Sequence, residues 1–257
     1  MARERRLDQR VVEIERRPPT RTVWHTVAEE RGLPPPLPPE TRTIGQLVAE
    51  TVRLYQRRFW PSLALGIPAA AIDIVSANLS RVAALAFVPV AGAVLLTASY
   101  IAAALLASDS PAERRPLLIA FAAGVLVFVP FPFLASVFIL PGLVWLAFVG
   151  LAVPVAVIER PGLAASFRRA TELARADFVH ALGGLATLAI AVFLTRTVLF
   201  FLLRGYGEAT TLAASVLADI VIAPLLFLGA ALLYFDQTAR ASLRRERATP
   251  PRQRVPS

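Results

Sequence analysis

From Leu117 to Ile158 the chain runs about 42 residues without an Asp, Glu, Lys, Arg or His. Roughly 20 apolar residues in a helix already cross the hydrocarbon core of a bilayer, so this run is too long for one crossing and has to fold back. Phe131-Pro132 through Pro141-Gly142 supplies the turn, because proline lacks the donor a continuing helix needs. A water-soluble helix buried on all sides is seldom half this long. With 56% hydrophobic residues and a mean hydropathy of +0.60, the chain reads as a set of membrane spans rather than one large soluble core.

Six spans follow from the pattern: Pro61–Ser80, Val82–Ala107, Pro116–Leu140, Gly142–Ile158, Val179–Leu203 and Thr210–Phe235. Pro68, Pro89, Pro130, Pro132, Pro154 and Pro224 fall inside them. They read as packing kinks whose freed carbonyls neighbouring helices repair, with a broken-helix substrate site as the alternative. The flanks divide into a tail over 1–40 rich in arginine and proline, the membrane domain over 41–240, and a basic tail over 241–257, both tails read as disordered. The first 40 residues lack the apolar core of a signal peptide, so the first span is expected to act as its own insertion signal.

Charge sets the orientation. All 27 basic residues are arginine and the net charge is +9. They gather ahead of the first span, at Arg114-Arg115, over Arg160–Arg175 and over Arg240–Arg254, whereas only Arg81 and Arg204 flank the other side. Six spans put those four regions together, and the positive-inside rule then makes both termini cytoplasmic in a prokaryotic cytoplasmic (inner) membrane. This distribution suits anionic lipid headgroups better than nucleic acid.

Two amphipathic segments interrupt the apolar pattern. Thr43-Ile-Gly-Gln46 has capping-box spacing, and Ile44, Leu47, Val48, Val52, Tyr55 and Phe59 follow at helical intervals. Arg53, Arg57 and Arg58 lie off that stripe. Between spans four and five, Leu163, Phe167, Ala170, Leu173 and Ala174 form a second stripe opposed by Arg168, Arg169, Glu172 and Arg175. Both helices are expected to lie along the cytoplasmic interface, with these six arginines as candidate contacts for lipid headgroups or a partner. Aligning Phe59 with Phe178 superposes the two segments, which is either a parallel internal repeat or chance. The fold class is therefore an all-α integral membrane bundle of about six transmembrane helices plus two amphipathic interfacial helices.

Three pieces carry a resemblance. They are Arg53-Leu-Tyr-Gln-Arg-Arg-Phe59, the block from Pro141-Gly142 to Val155-Ala-Val-Ile-Glu159-Arg-Pro-Gly-Leu-Ala-Ala-Ser166-Phe-Arg-Arg169, and Leu232-Leu-Tyr234-Phe-Asp236. Over roughly Thr43 to Arg240 the chain resembles the membrane domain found ahead of some bacterial glycerophosphodiester phosphodiesterases, together with related stand-alone multi-span proteins. In the fused enzymes the chemistry sits in a separate TIM barrel. This chain is too short to hold that barrel, so the resemblance implies a membrane module without the enzyme.

Residues that carry chemistry are few. There is no cysteine, metalloprotease motif, nucleophile elbow or phosphate-binding glycine loop, so neither catalysis nor a cofactor or metal is expected. His180, Tyr234 and Asp236 read as anchors at the inner interface, Trp145 and Tyr206 as anchors at the outer one. Gly183-Gly184 and Gly229 permit close helix approach, within the bundle or between copies.

Asp73, Arg196 and Asp219 stand out, because a charge inside a span is costly and pairs or faces water. Counting along spans one, five and six brings all three to a similar depth in the outer half. The expectation is an Arg196–Asp219 pair, joined by Asp73 and by Thr195, Thr197, Ser76 or Asn78. It serves either as a static register pin or as a polar site for an ion, proton or headgroup, with snorkelling of Arg196 as the rival. The resulting expectation is a non-catalytic scaffold or partner subunit on anionic lipid, forming a homo-oligomer or joining another membrane protein. The rival is a small-solute or lipid transporter using the outer polar residues.

Overall fold

A computed structural model describes residues 38–248. Of the tails expected over 1–40 and 241–257, residues 1–37 and 249–257 lie outside the described residues. Among the described residues the regular structure is helical, without a strand.

Helix α1 (Ile44–Arg57) starts on the capping box: Gln46 N donates to Thr43 Oγ1 at 3.3 Å and Thr43 N to Gln46 Oε1 at 3.2 Å. The first membrane stretch is α2 (Phe59–Ala64) and α3 (Ile67–Ala77). The second is α4 (Arg81–Phe87), a π-helical turn over Val88–Gly92, and α5 (Ala93–Ser108). The third is α6 (Arg114–Phe128) with α7 (Phe131–Val137), and the fourth is α8 (Ile139–Val149) with α9 (Ala152–Ile158). After the amphipathic α10 (Leu163–Ala176) come the fifth and sixth stretches, α11 (Phe178–Leu203) and α12 (Glu208–Ala248). Six helical stretches are long and apolar enough to cross a membrane, and the chain is a multi-pass membrane protein.

The breaks follow the prolines, and neighbours mend them. Between α2 and α3 the helical ladder lapses, and Ser99 Oγ of α5 donates to the Leu65 carbonyl at 2.8 Å. Between α6 and α7, where Pro130 and Pro132 cluster, Trp145 Nε1 of α8 donates to the Val127 carbonyl at 2.8 Å. The Trp145 indole thus serves the interior of the bundle and not the outer interface expected for it. An unpaired carbonyl in hydrocarbon costs several kcal/mol, so these two side chains make the irregular backbone tolerable there. Pro89 lies in the π-helical turn, where the wider ring accommodates a missing donor.

Helix α12 is the axis of the bundle, packed by α11, α3, α5, α1 and α10. The core around it is rich in alanine, with Ala103, Ala123, Ala152 and Ala231 buried, and small side chains let helix backbones approach closely. The amphipathic helices do not rest on lipid alone. Leu47, Thr51 and Tyr55 form the buried face of α1, which lies on α11 and α12. Ser166, Ala170, Leu173 and Ala174 bury α10 against α9, α12 and α8. A Cβ on Gly184 would stand 2.9 Å from Leu47 Cδ2, and one on Gly183 2.7 Å from Ile44 Cδ1. These glycines therefore act within the bundle, as the seat of α1. Both amphipathic helices have 14 residues, both end on one non-helical residue (Arg58, Asp177), and a phenylalanine then opens the membrane helix. The Phe59–Phe178 alignment thus superposes two elements of the same local geometry.

Helix α1, α10 and both ends of the described chain share one end of the bundle, called the basic end here; the turns at 78–80, 138 and 204–207 form the far end. At the basic end Arg58 pairs with Asp109, Arg160 with Glu113, and Arg169 with Glu159 at 3.2 Å. Helix α12 does not stop near Phe235 but continues to Ala248, past the start of the expected tail at 241. Contacts explain the extension: Ala241 is buried, Arg244 Nη1 donates to the Arg175 carbonyl at 2.9 Å, and Arg245 pairs with Glu172 at 3.6 Å.

Candidate functional site

Three helices bring the intramembrane charges of the far half together. Arg196 of α11 reaches Asp219 Oδ1 of α12 through Nη1 at 3.1 Å and Asp73 Oδ2 of α3 through Nη2. Span one can come this close because it breaks at Gly66, where any Cβ would collide with the carbonyls of Asp219 and Ile220. The guanidinium is a planar fork, and here its two prongs hold two carboxylates. Arg196 therefore does not snorkel toward headgroups. Thr195 and Asn78 stay outside the group, since each donates back to its own helix, to Ala191 O at 2.8 Å and Ile74 O at 2.7 Å.

The site carries more acid than base: Asp73 and Asp219 face one guanidinium. The Asp219 side chain is 2% exposed, and its Oδ2 is buried without a hydrogen-bond partner. Ser76 Oγ, one turn beyond Asp73, is also buried and unpartnered. A cavity of about 550 Å³ opens beside the group, lined by Asp73, Phe200, Arg204, Glu208, Thr211 and Ser215 among others. Asp73 is thus the wall shared by the cavity and the ion-pair fork.

The arginines expected to contact headgroups divide. Arg53 is 7% exposed and pairs with Glu50 at 3.4 Å, so it is withheld from lipid. This corrects the sequence expectation. Position 53 lies off the apolar stripe, yet the docking of α1 onto the bundle covers it. Arg58 and Arg169 are tied to Asp109 and Glu159, whereas Arg57, Arg168 and Arg175 are exposed.

A second charged cluster lies at the basic end, and three of its members, His180, Tyr234 and Asp236, were expected as anchors at the inner interface. Asp236 is fully buried; it accepts from Arg42 Nη1 at 2.7 Å and stands 3.4 Å from His180 Nε2. Arg240 donates to Asp177 Oδ2 at 2.5 Å and to the Arg42 carbonyl at 2.6 Å, and lies 3.4 Å from His180 Nδ1. An arginine has no acceptor, so Nδ1 must accept, and the neutral imidazole with its proton on Nε2 fits both neighbours. Gln237 Nε2 donates to the Asp177 carbonyl at 3.0 Å, and Tyr234 Oη to Glu159 at 3.0 Å. Two carboxylates and two guanidiniums balance, and the cluster ties the approach to α1 onto α11 and α12. The available signal was Asp177, which caps α11 by accepting from His180 N at 3.0 Å.

Among the described residues no group of His, Cys, Asp or Glu could hold a metal ion. Comparison of the chain with protein-family models, with curated proteins and with solved structures gives no match.

Proposed function

We propose that this chain is a non-catalytic scaffold or partner subunit of a prokaryotic cytoplasmic membrane, with its basic end in the cytoplasm on anionic lipid. The observation that carries this reading is the construction of the basic end. Arg114, Arg115, Arg168 and Arg175 are exposed, and the helices bearing them are fixed to the bundle by buried contacts. Each arginine near an anionic surface contributes on the order of 1 kcal/mol of attraction. The resemblance to the membrane modules of glycerophosphodiester phosphodiesterases agrees with a membrane role that needs no active site. In vesicles of phosphatidylcholine, adding phosphatidylglycerol is expected to raise the unfolding temperature, and Arg168→Gln with Arg175→Gln to remove most of that gain. An unfolding temperature indifferent to the anionic lipid would sink the reading.

One observation favours a second reading, a small-solute transporter: the cavity gives water a route to Asp73. In that case reconstituted vesicles show solute flux that Arg196→Ala abolishes while the protein stays folded and inserted.

A further inference from the structure

We propose that the far-end cavity binds a small organic ammonium ion, seated between the Asp73 carboxylate and the Phe200 ring. The proposal names a ligand class for the solute-binding reading and rests on it. Charge is the first argument. Asp73 and Glu208 line the cavity against Arg204, and the Arg196 guanidinium behind Asp73 is shared with Asp219. The fork answers Asp73 only in part, because its one guanidinium serves two carboxylates. A partly answered carboxylate in a region of low dielectric is stabilised by an occupant that brings positive charge and destabilised by an anion.

The lining indicates which cation. Phe200 contributes an aromatic ring to the lining, and aromatic faces attract cations whose charge is spread over carbon and nitrogen. The adjacent ring is already used this way: the Arg204 guanidinium lies 5.2 Å from the Phe201 centroid, which turns part of its charge toward that ring. A volume of about 550 Å³ matches an organic ligand and far exceeds a bare ion, and the described residues include no cluster of metal-ligand type. Gly207 and Glu208, at the turn between α11 and α12, form part of the lining, so the ligand enters from the far end. The carboxylate of Glu208 meets it first and that of Asp73 holds it.

The test is calorimetric titration of the full chain in lipid nanodiscs with tetramethylammonium chloride, against sodium chloride and sodium acetate. Saturable binding of tetramethylammonium alone is expected, weakened roughly three- to thirty-fold by Phe200→Leu, the range of a cation–π contact. Asp73→Asn is expected to abolish it. Because Asp73 also serves the fork, Phe200→Leu is the deciding variant. The proposal is overturned by absence of saturable binding, by equal binding of sodium, by binding of acetate, or by an unchanged affinity in Phe200→Leu. Flux measured on the same protein separates the two ideas. Ammonium binding without flux keeps the site and defeats the transporter; flux dependent on Arg196 without ammonium binding keeps the transporter and defeats this ligand.

Discussion

Asp219 and Asp236 are both shielded carboxylates of α12, and their neighbours treat them in opposite ways. Asp236 is answered on every side, by Arg42 and His180 directly and by Arg240 behind them. Removing it strands Arg42 in the interior, and breaking a buried pair from one side costs about 3–5 kcal/mol. Asp236→Ala should therefore lower the unfolding free energy in detergent by that order. Asp219→Asn keeps an acceptor for Arg196 and replaces a buried carboxyl whose second oxygen has no partner, so its expected cost is under about 1 kcal/mol, or even a gain. Equal losses from the two variants would show that Asp219 is as structural as Asp236. The contrast also explains what a reader of the sequence can see. Asp73, Arg196 and Asp219 interrupt apolar runs, so each announces itself, and counting along the helices puts them level. Asp236 sits where a span meets polar sequence and looks like a headgroup anchor. Its partner Arg42 is 194 positions away, and nothing local links them.

At the scale of elements, hydropathy made the six crossings legible because lipid demands long apolar runs with all backbone groups paired inside. It could not locate the π-helical turn at Val88–Gly92, since a proline marks a missing donor without saying how the ladder widens. Nor could it extend α12 to Ala248, because that overhang is held by contacts to α10 and not by apolarity. The amphipathic helices were legible as helices from cap and stripe. Their docking was not, because a stripe facing protein and one facing lipid have the same composition. The seat of α1 is testable through Gly184 and Leu47. Gly184→Val overpacks the contact by about 1–3 kcal/mol, and Leu47→Ala empties it by about 2–5 kcal/mol. Combined, they should cost clearly less than their sum, read by thermal unfolding of the four proteins in a double-mutant cycle. Strict additivity would mean that α1 does not rest on Gly184.

For the molecule as a whole, charge asymmetry and span count agree on a bundle with one basic end. The chain has no cysteine, so single introduced thiols report sidedness without background. Ser110→Cys and Ser242→Cys should react with an impermeant maleimide from the cytoplasmic side only, and Ser80→Cys and Gly207→Cys from the opposite side only. Labelling of Ser110→Cys and Ser242→Cys from different compartments would break the six-crossing topology. Helix α12 then takes on a mechanical meaning. At about 1.5 Å per residue its 41 residues make a shaft on the order of 60 Å, twice the thickness of the hydrocarbon it traverses. The far-end fork and the basic-end cluster are clamped to that one shaft, with Pro224 as the single joint between the clamps. Any torque applied at Asp219 is thus either relayed to Asp236 or absorbed at Pro224, and the stiffness of that one residue decides which.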